Sequence, residues 1–106
     1  MLSQRIINQI NGIGLKMELD VLEENVNNAL EVIELQVLIA ERFNDTENLN
    51  ATLQSKLTKL LKLINDVNEI EEKAYAYNEH ELVFRCEELK SKVVEVMENI
   101  RGKYMF

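Results

Sequence analysis

Apolar residues recur at steps of three and four along almost the whole chain, the spacing that places side chains on one face of an α-helix. One series predicts a helix over about residues 15–43, and two more predict helices over about 46–77 and 79–101. The first series consists of Leu15, Leu19, Leu22, Val26, Ala29, Ile33, Gln36 and Ala40. The others are Leu49, Leu53, Leu57, Leu60, Ile64, Val67, Ile70, Ala74 and Tyr77, and then Leu82, Cys86, Leu89, Val93, Val96 and Ile100.

A shorter apolar series precedes these three and predicts a helix over about residues 3–11, with Ser3 as its N-cap. Its members are Leu2, Ile6, Ile10 and Ile13. Between Ile13 and Leu15 the series jumps by two residues, which rotates the apolar stripe by about 200° on a helix. The jump coincides with Gly12 and Gly14, so we expect a turn or hinge there. A bent but continuous helix is the alternative. A phosphate-binding loop would require a third glycine and a preceding strand, which the sequence lacks.

Two further breaks separate the long helices. Asn44, Asp45 and Thr46 are rival N-caps at the first break, and Asn78 with Glu81 resembles a cap at the second. The residues around Asn78 also tolerate a helix, so one continuous helix is the alternative there. The sequence therefore predicts an all-α fold in one domain, residues 1–106: an antiparallel helical bundle of three long helices plus a short N-terminal helix, with coiled-coil-like packing.

Charged residues allow a check on how the helices pair. With turns near residues 45 and 78, antiparallel packing places Glu34 opposite Lys56 and Glu72 opposite Arg85. Each exposed pair of this kind contributes well under about 1 kcal/mol. The pairs therefore bear on register rather than on stability.

Composition narrows the classes of function. The chain has 106 residues, no proline, three glycines and a net charge of −7. Such an acidic chain is a poor nucleic-acid binder, because binding phosphates requires a surplus of Lys and Arg, and it is equally unsuited to an anionic membrane surface. No apolar run approaches the roughly 18–20 residues that span a bilayer, and the N-terminus lacks the apolar core of a signal peptide. We expect a cytoplasmic protein that binds neither membranes nor nucleic acid.

The residues that usually carry chemistry are scarce. His80 is the sole histidine, and the position four residues later, where a second zinc ligand would stand, is Phe84. Cys86 is the sole cysteine and lies in an apolar series, which predicts a buried structural thiol. We therefore expect no catalytic residues, no metal, no cofactor and no small-molecule substrate. The protein is not predicted to be an enzyme.

The segment over residues 32–43 is apolar around most of the helix circumference, which predicts that it is surrounded by other chain or by a partner. We predict an interface formed by Val32, Leu35, Gln36, Leu38, Ile39 and Phe43. Gln36 would fix register or oligomeric state by pairing with its own copy. The alternative is a monomer in which the short N-terminal helix and the tail over residues 104–106 cover this surface.

These features favour a non-enzymatic protein–protein interaction module, such as an assembly subunit, an adaptor or a chaperone-like partner. Its partner would be another protein or a second copy, giving a homo-oligomer, and contact would be helix against helix. The alternative is a small acidic regulator or inhibitor that binds a basic groove of another protein.

Overall fold

The computed structural model describes the backbone of residues 3–44 and 49–104, which form three α-helices. They are α1 (Gln4–Arg42), α2 (Leu49–Ala76) and α3 (His80–Tyr104). α1 and α3 run in the same direction, because Arg85 contacts Asp20 while Lys92, two turns further along, contacts Asn27. α2 returns between them and is antiparallel to both. The result is an elongated helical bundle measuring 64 × 20 × 17 Å.

The predicted separate helix over residues 3–11 is wrong, and with it the count of four helices, because α1 is continuous from Gln4 to Arg42. Neither Gly12 nor Gly14 has a positive φ angle. A glycine inside a helix costs only about 1 kcal/mol, which cannot end a helix without proline or a competing cap. The predicted N-cap is confirmed, because the Ser3 hydroxyl accepts a hydrogen bond from the Ile6 N–H at 3.3 Å.

The jump in the apolar series is a change of side on one helix. In the first turns, the side of α1 that later faces the core carries polar residues, Gln4, Asn8 and Asn11, while three of the isoleucines, Ile6, Ile10 and Ile13, lie on the opposite side. The side chains of Gln4 and Asn8 hydrogen-bond each other at 2.9 Å. From Leu15 onward the core-facing side becomes apolar. A stripe that changes sides was therefore misinterpreted as a chain that changes direction.

The core follows the three long apolar series closely. From α1 it takes Leu15, Leu19, Leu22, Val26, Leu30, Ile33 and Ala40. From α2 and α3 it takes Leu49, Leu53, Leu57, Leu60, Val67, Ile70 and Ala74, then Leu82, Val83, Cys86, Leu89, Val93, Met97 and Ile100. Ala29, predicted as core, is only partly buried, and its neighbour Leu30 is buried instead. Ile64, Tyr77 and Val96, also predicted as core, are likewise only partly buried, whereas Val83 and Met97 are buried although they stand outside the predicted series. The periodicity thus predicts most of the core.

The turn between α2 and α3 is closed by backbone hydrogen bonds. Asn78 has a left-handed backbone, with φ at 59°, and its N–H bonds the Tyr75 carbonyl at 3.2 Å. The Glu79 N–H reaches the Ala74 carbonyl at 2.8 Å, which completes a Schellman motif. Asn78 therefore ends α2 and does not cap the helix that follows, and α2 and α3 are separate. Asn44, after α1, is also left-handed with φ at 53°, whereas Asp45 and Thr46, its rivals as cap, lie outside the described residues.

Gly12 marks where α1 meets the rest of the bundle. A Cβ atom at residue 12 would collide with the Glu79 carboxylate, whereas a Cβ at Gly14 would meet nothing within 4 Å. Glu79 belongs to the α2–α3 turn, so the start of α1 over residues 4–11 extends past that turn. At 1.5 Å per residue this overhang is about 12 Å long.

Candidate protein-interaction surface

Five of the six predicted interface residues are exposed apolar side chains near the end of α1. We call this group the C-terminal patch; it comprises Val32, Leu35, Leu38, Ile39 and Phe43. Between 41% and 72% of the surface of each residue is accessible. Their spacing of three and four residues keeps them together on one side of the helix. Exposed apolar residues scattered singly are ordinary on protein surfaces, but a contiguous group is not.

A second group of exposed apolar residues lies on the first half of α1, and the sequence interpretation missed it as a surface. This N-terminal patch consists of Ile6, Ile10, Ile13, Met17 and Val21. Between 42% and 65% of each residue is accessible. Three of these residues were assigned to a separate helix that would fold back over the chain. The signal that could have identified the patch is the continuation of the Ile13 series to Met17 and Val21 beyond the two glycines.

Both patches lie on the same side of α1, which we call the back face, opposite the core. The geometry follows from a rotation of 100° per residue, since three turns contain about 11 residues. Residues at steps of 11 therefore share a direction, and Ile10, Val21 and Val32 stand at such steps. Between the patches the back face is polar. It carries Glu24, Asn28 and Glu31.

The sixth predicted interface residue, Gln36, lies at the margin between the core and the back face. Its neighbours one turn away include the buried Ile33 and Ala40 on one side and the exposed Ile39 on the other. Gln36 is half-buried, and its Oε1 atom is buried with no hydrogen-bond partner among the described residues. Gln36 therefore lies beside the C-terminal patch and is not one of its exposed residues.

A groove runs beside the C-terminal patch, between the last turns of α1 and α3. Its apolar lining comes from Ile33, Val37 and Leu38 of α1 and from Val96 and Ile100 of α3, and its volume is about 800 Å³. Carboxylates line it as well, namely Glu34, Glu41 and Glu98. The groove beside the C-terminal patch thus has an apolar floor and an acidic rim.

Polar contacts link one flank of α1 to α3. Arg85 Nη2 donates hydrogen bonds to Asp20 Oδ1 at 2.8 Å and to Glu23 Oε2 at 3.2 Å. These carboxylates raise the pKa of the Arg85 guanidinium, chiefly through the hydrogen bond to Asp20. Lys92 Nζ donates to Asn27 Oδ1 at 2.8 Å. These contacts add to the packing of the apolar front of α1, which turns the back face outward. The predicted partner of Arg85 was Glu72, which the structure does not pair with it.

The two residues considered for chemistry lie apart from this surface. Cys86 is fully buried, as predicted, and burial raises the pKa of its thiol to about 11, with the charge of Glu71 adding to the effect. His80 is exposed at the start of α3. Within residues 3–44 and 49–104, no three His, Cys, Asp or Glu side chains are grouped so that they could hold a metal ion. None of the helices in this part of the chain has the length and apolarity needed to cross a membrane.

No protein-family model matches the chain. None of the curated proteins and none of the solved structures is significantly similar to it.

Proposed function

We propose that the protein is a non-enzymatic interaction module that binds a protein chain through the C-terminal patch of α1. An assembly subunit, an adaptor or a chaperone-like partner would all work in this way. The observation that carries the proposal is the exposure of five adjacent large apolar residues, Val32 to Phe43, on a helix whose other side already fills the core. Exposed apolar surface of this extent on a small domain usually marks an interaction site.

The shape of the patch favours a helical partner. Leu38 and Ile39 follow Leu35 on α1 by three and four residues, and the exposed fractions of Leu35, Leu38 and Ile39 are 53%, 60% and 56%. Such a row forms ridges that interdigitate with the side chains of another helix laid along it. Burial of these residues by the partner would supply the binding free energy, and the polar residues beside them would set its orientation.

Photo-crosslinking tests this proposal. A photo-reactive phenylalanine analogue placed at Leu38 should form a cross-link to a protein chain at physiological salt, either to a second copy or to a different protein in cell extract. The same analogue at Thr58, an exposed position on α2, is the control and should give none. Adding Ile39→Glu should abolish the Leu38 cross-link while the helical circular dichroism signal is retained, because Ile39 is outside the core.

Two results would contradict the proposal. One is equal cross-linking from Leu38 and Thr58, which would make contact at the patch nonspecific. The other is loss of helicity in Ile39→Glu, which would identify the patch as part of the core. A matched substitution, Leu61→Glu, introduces the same charge at an exposed leucine of α2 flanked by polar Thr58 and Asn65, and should leave both signals unchanged.

A second candidate function is suggested by the acidic rim of the groove. Glu34, Glu41 and Glu98 line it, and the chain carries a net charge of −7. A small acidic regulator could present this end to a basic groove of another protein. Such a complex would weaken steeply as ionic strength rises, whereas association through the C-terminal patch would not. A Leu38 cross-link that persists when salt is raised severalfold would exclude the acidic mode for that complex.

A further inference from the structure

We propose that the partner of α1 is a second copy of the same helix, packed antiparallel along the whole back face. This inference rests on the proposed function and names its partner. It also enlarges the surface, because the N-terminal patch takes part. The symmetry axis would pass behind Val26, so that the N-terminal patch of one copy meets the C-terminal patch of the other and each contact occurs twice.

The spacing of the two patches supports this arrangement. With the axis behind Val26, Ile13 lies opposite Ile39, and Met17 lies opposite Leu35. These four residues have exposed fractions of 64%, 56%, 65% and 53% in the single chain. Ile10 then meets the aliphatic part of Arg42, whose guanidinium can reach solvent past the helix. One helix thus carries both halves of an apolar seam.

The polar residues between the patches favour the antiparallel over the parallel direction. In a parallel pair, Glu24 would face Glu24 and Glu31 would face Glu31 in the middle of the seam, which places like charges together. In the antiparallel pair, Glu24 faces Asn28 at both symmetric positions, so a carboxylate meets an amide donor. Glu31 faces Val21, so it does not meet a second carboxylate. The antiparallel direction therefore removes the carboxylate pairs.

Charges on the flanks fit the same direction. Two-fold symmetry perpendicular to the helices brings the same flank of both copies together. Lys16 and Glu34 share the flank of α1 beside α3, and the antiparallel register places their positions in the two copies within one turn of each other along the seam. Asp20, another acidic residue close to this flank, is already neutralised by Arg85 at 2.8 Å.

The area available matches what a specific dimer needs. The two patches contribute ten large apolar residues to each copy, and each presents on the order of 100 Å², so closing the seam would bury roughly 1,500–2,000 Å² in total, within the range of stable complexes. α2 and α3 lie on the other side of α1 and leave the back face open. Two bundles can therefore approach at the usual helix separation of about 8–10 Å.

Solution mass is the first test of the dimer. We expect light scattering at micromolar to submillimolar concentrations to give twice the 12.4 kDa of one chain. Ile13→Glu and Ile39→Glu should each weaken the dimer about 100-fold or more, because each substitution places two charges in the seam. Leu61→Glu on α2 should change the dissociation constant less than about twofold. A monomer throughout this range, or equal sensitivity to Leu61→Glu, would overturn the proposal.

Charge reversal then tests the direction. In the double variant Ile13→Glu with Ile39→Lys, the antiparallel dimer brings Glu opposite Lys twice, and dimerisation should recover at least about tenfold relative to Ile13→Glu alone. A parallel dimer would bring Glu to Glu and Lys to Lys and show no recovery. Both positions are exposed, so the variants should fold. Absence of recovery would overturn the antiparallel arrangement.

Disulfide trapping gives an independent readout. In a Cys86→Ala background, mixing Ile13→Cys chains with Ile39→Cys chains should give the mixed disulfide, and each variant alone should give little. Predominant Ile13→Cys homodimers would overturn the proposal. If the protein is monomeric while Leu38 cross-links to a different protein, the self-association fails and the proposed function survives. If Leu38 cross-links to nothing, both fail.

Discussion

The front and back faces of α1 both carry large apolar side chains, but those on the front are buried and those on the back are exposed. Leu19, Val26 and Ile33 on the front are fully buried, whereas Ile13, Met17 and Leu38 on the back are at least 60% exposed. Both faces follow the helical period. The difference lies in what surrounds them, since α2 and α3 cover only one side. Helical periodicity thus predicts which faces of a helix are apolar. The tertiary structure shows which of those faces are buried by the rest of the chain.

The largest difference in stability is expected when one side chain on each face is truncated to alanine. Leu19→Ala removes a fully buried side chain and should lower the free energy of unfolding by about 3 kcal/mol. Met17→Ala, two residues away and 65% exposed, should change it by less than about 0.5 kcal/mol. Urea denaturation measures both. Each substitution belongs in an Ile13→Glu background, so that self-association does not contribute. Similar losses for the two variants would mean that the back face is covered within the single chain.

A weaker effect is expected at the flank that separates the two faces. Arg85 bonds Asp20 and Glu23, and its side chain is 23% exposed, so Arg85→Gln should cost about 1 kcal/mol of stability. Lys92→Gln is the matched control, because Lys92 makes one exposed hydrogen bond to the neutral Asn27 on the same flank. It should cost less than half as much. Thermal unfolding of the two variants compares them, and a larger cost for Lys92→Gln would show that the Arg85 ion pairs stabilise the α1–α3 contact less than the Lys92 hydrogen bond does.

The smallest effect concerns the two glycines and the continuity of α1. Gly14→Ala should stabilise the protein by about 0.5–1 kcal/mol, because Gly14 is helical and a methyl group there meets nothing. Gly12→Ala should gain less, since the new methyl must displace the Glu79 carboxylate. A lower midpoint of thermal unfolding in Gly14→Ala would indicate a non-helical backbone at residue 14, and the back face would then end there.

The sequence predicts the core well and the N-terminal region poorly, for a physical reason. The Leu15 to Ile33 series lies on the front face because burial and periodicity coincide there. Near Gly12 the same rule shows that the apolar residues shift around the helix. It does not distinguish a turn in the chain from a continuous helix whose apolar residues move to its other side. The polar Gln4 and Asn8 carry the decisive information, because they leave the front of the first two turns with nothing to bury.

The candidate surface was likewise predicted in one part and missed in another. The C-terminal patch, for example Leu38 and Ile39, was predicted because an all-round apolar helix requires cover. The N-terminal patch was not, because its residues were assigned to cover something else. The contacts between α1 and α3 were also missed. Turn geometry relates consecutive helices only, and it paired Arg85 with Glu72 of α2, whereas the structure pairs Arg85 with Asp20 of α1.

The overhang of α1 beyond Gly12 has a thermodynamic consequence. A helix of eight residues is too short to form alone in water, so the helicity of residues 4–11 must be propagated from the supported turns that follow. Each turn of this segment is held mainly by its neighbours, by the Ser3 cap and by whatever contacts Ile6 and Ile10. Occupation of the back face and completion of the helix should then be one cooperative event. The first two turns of α1 are where this protein would couple its own folding to binding.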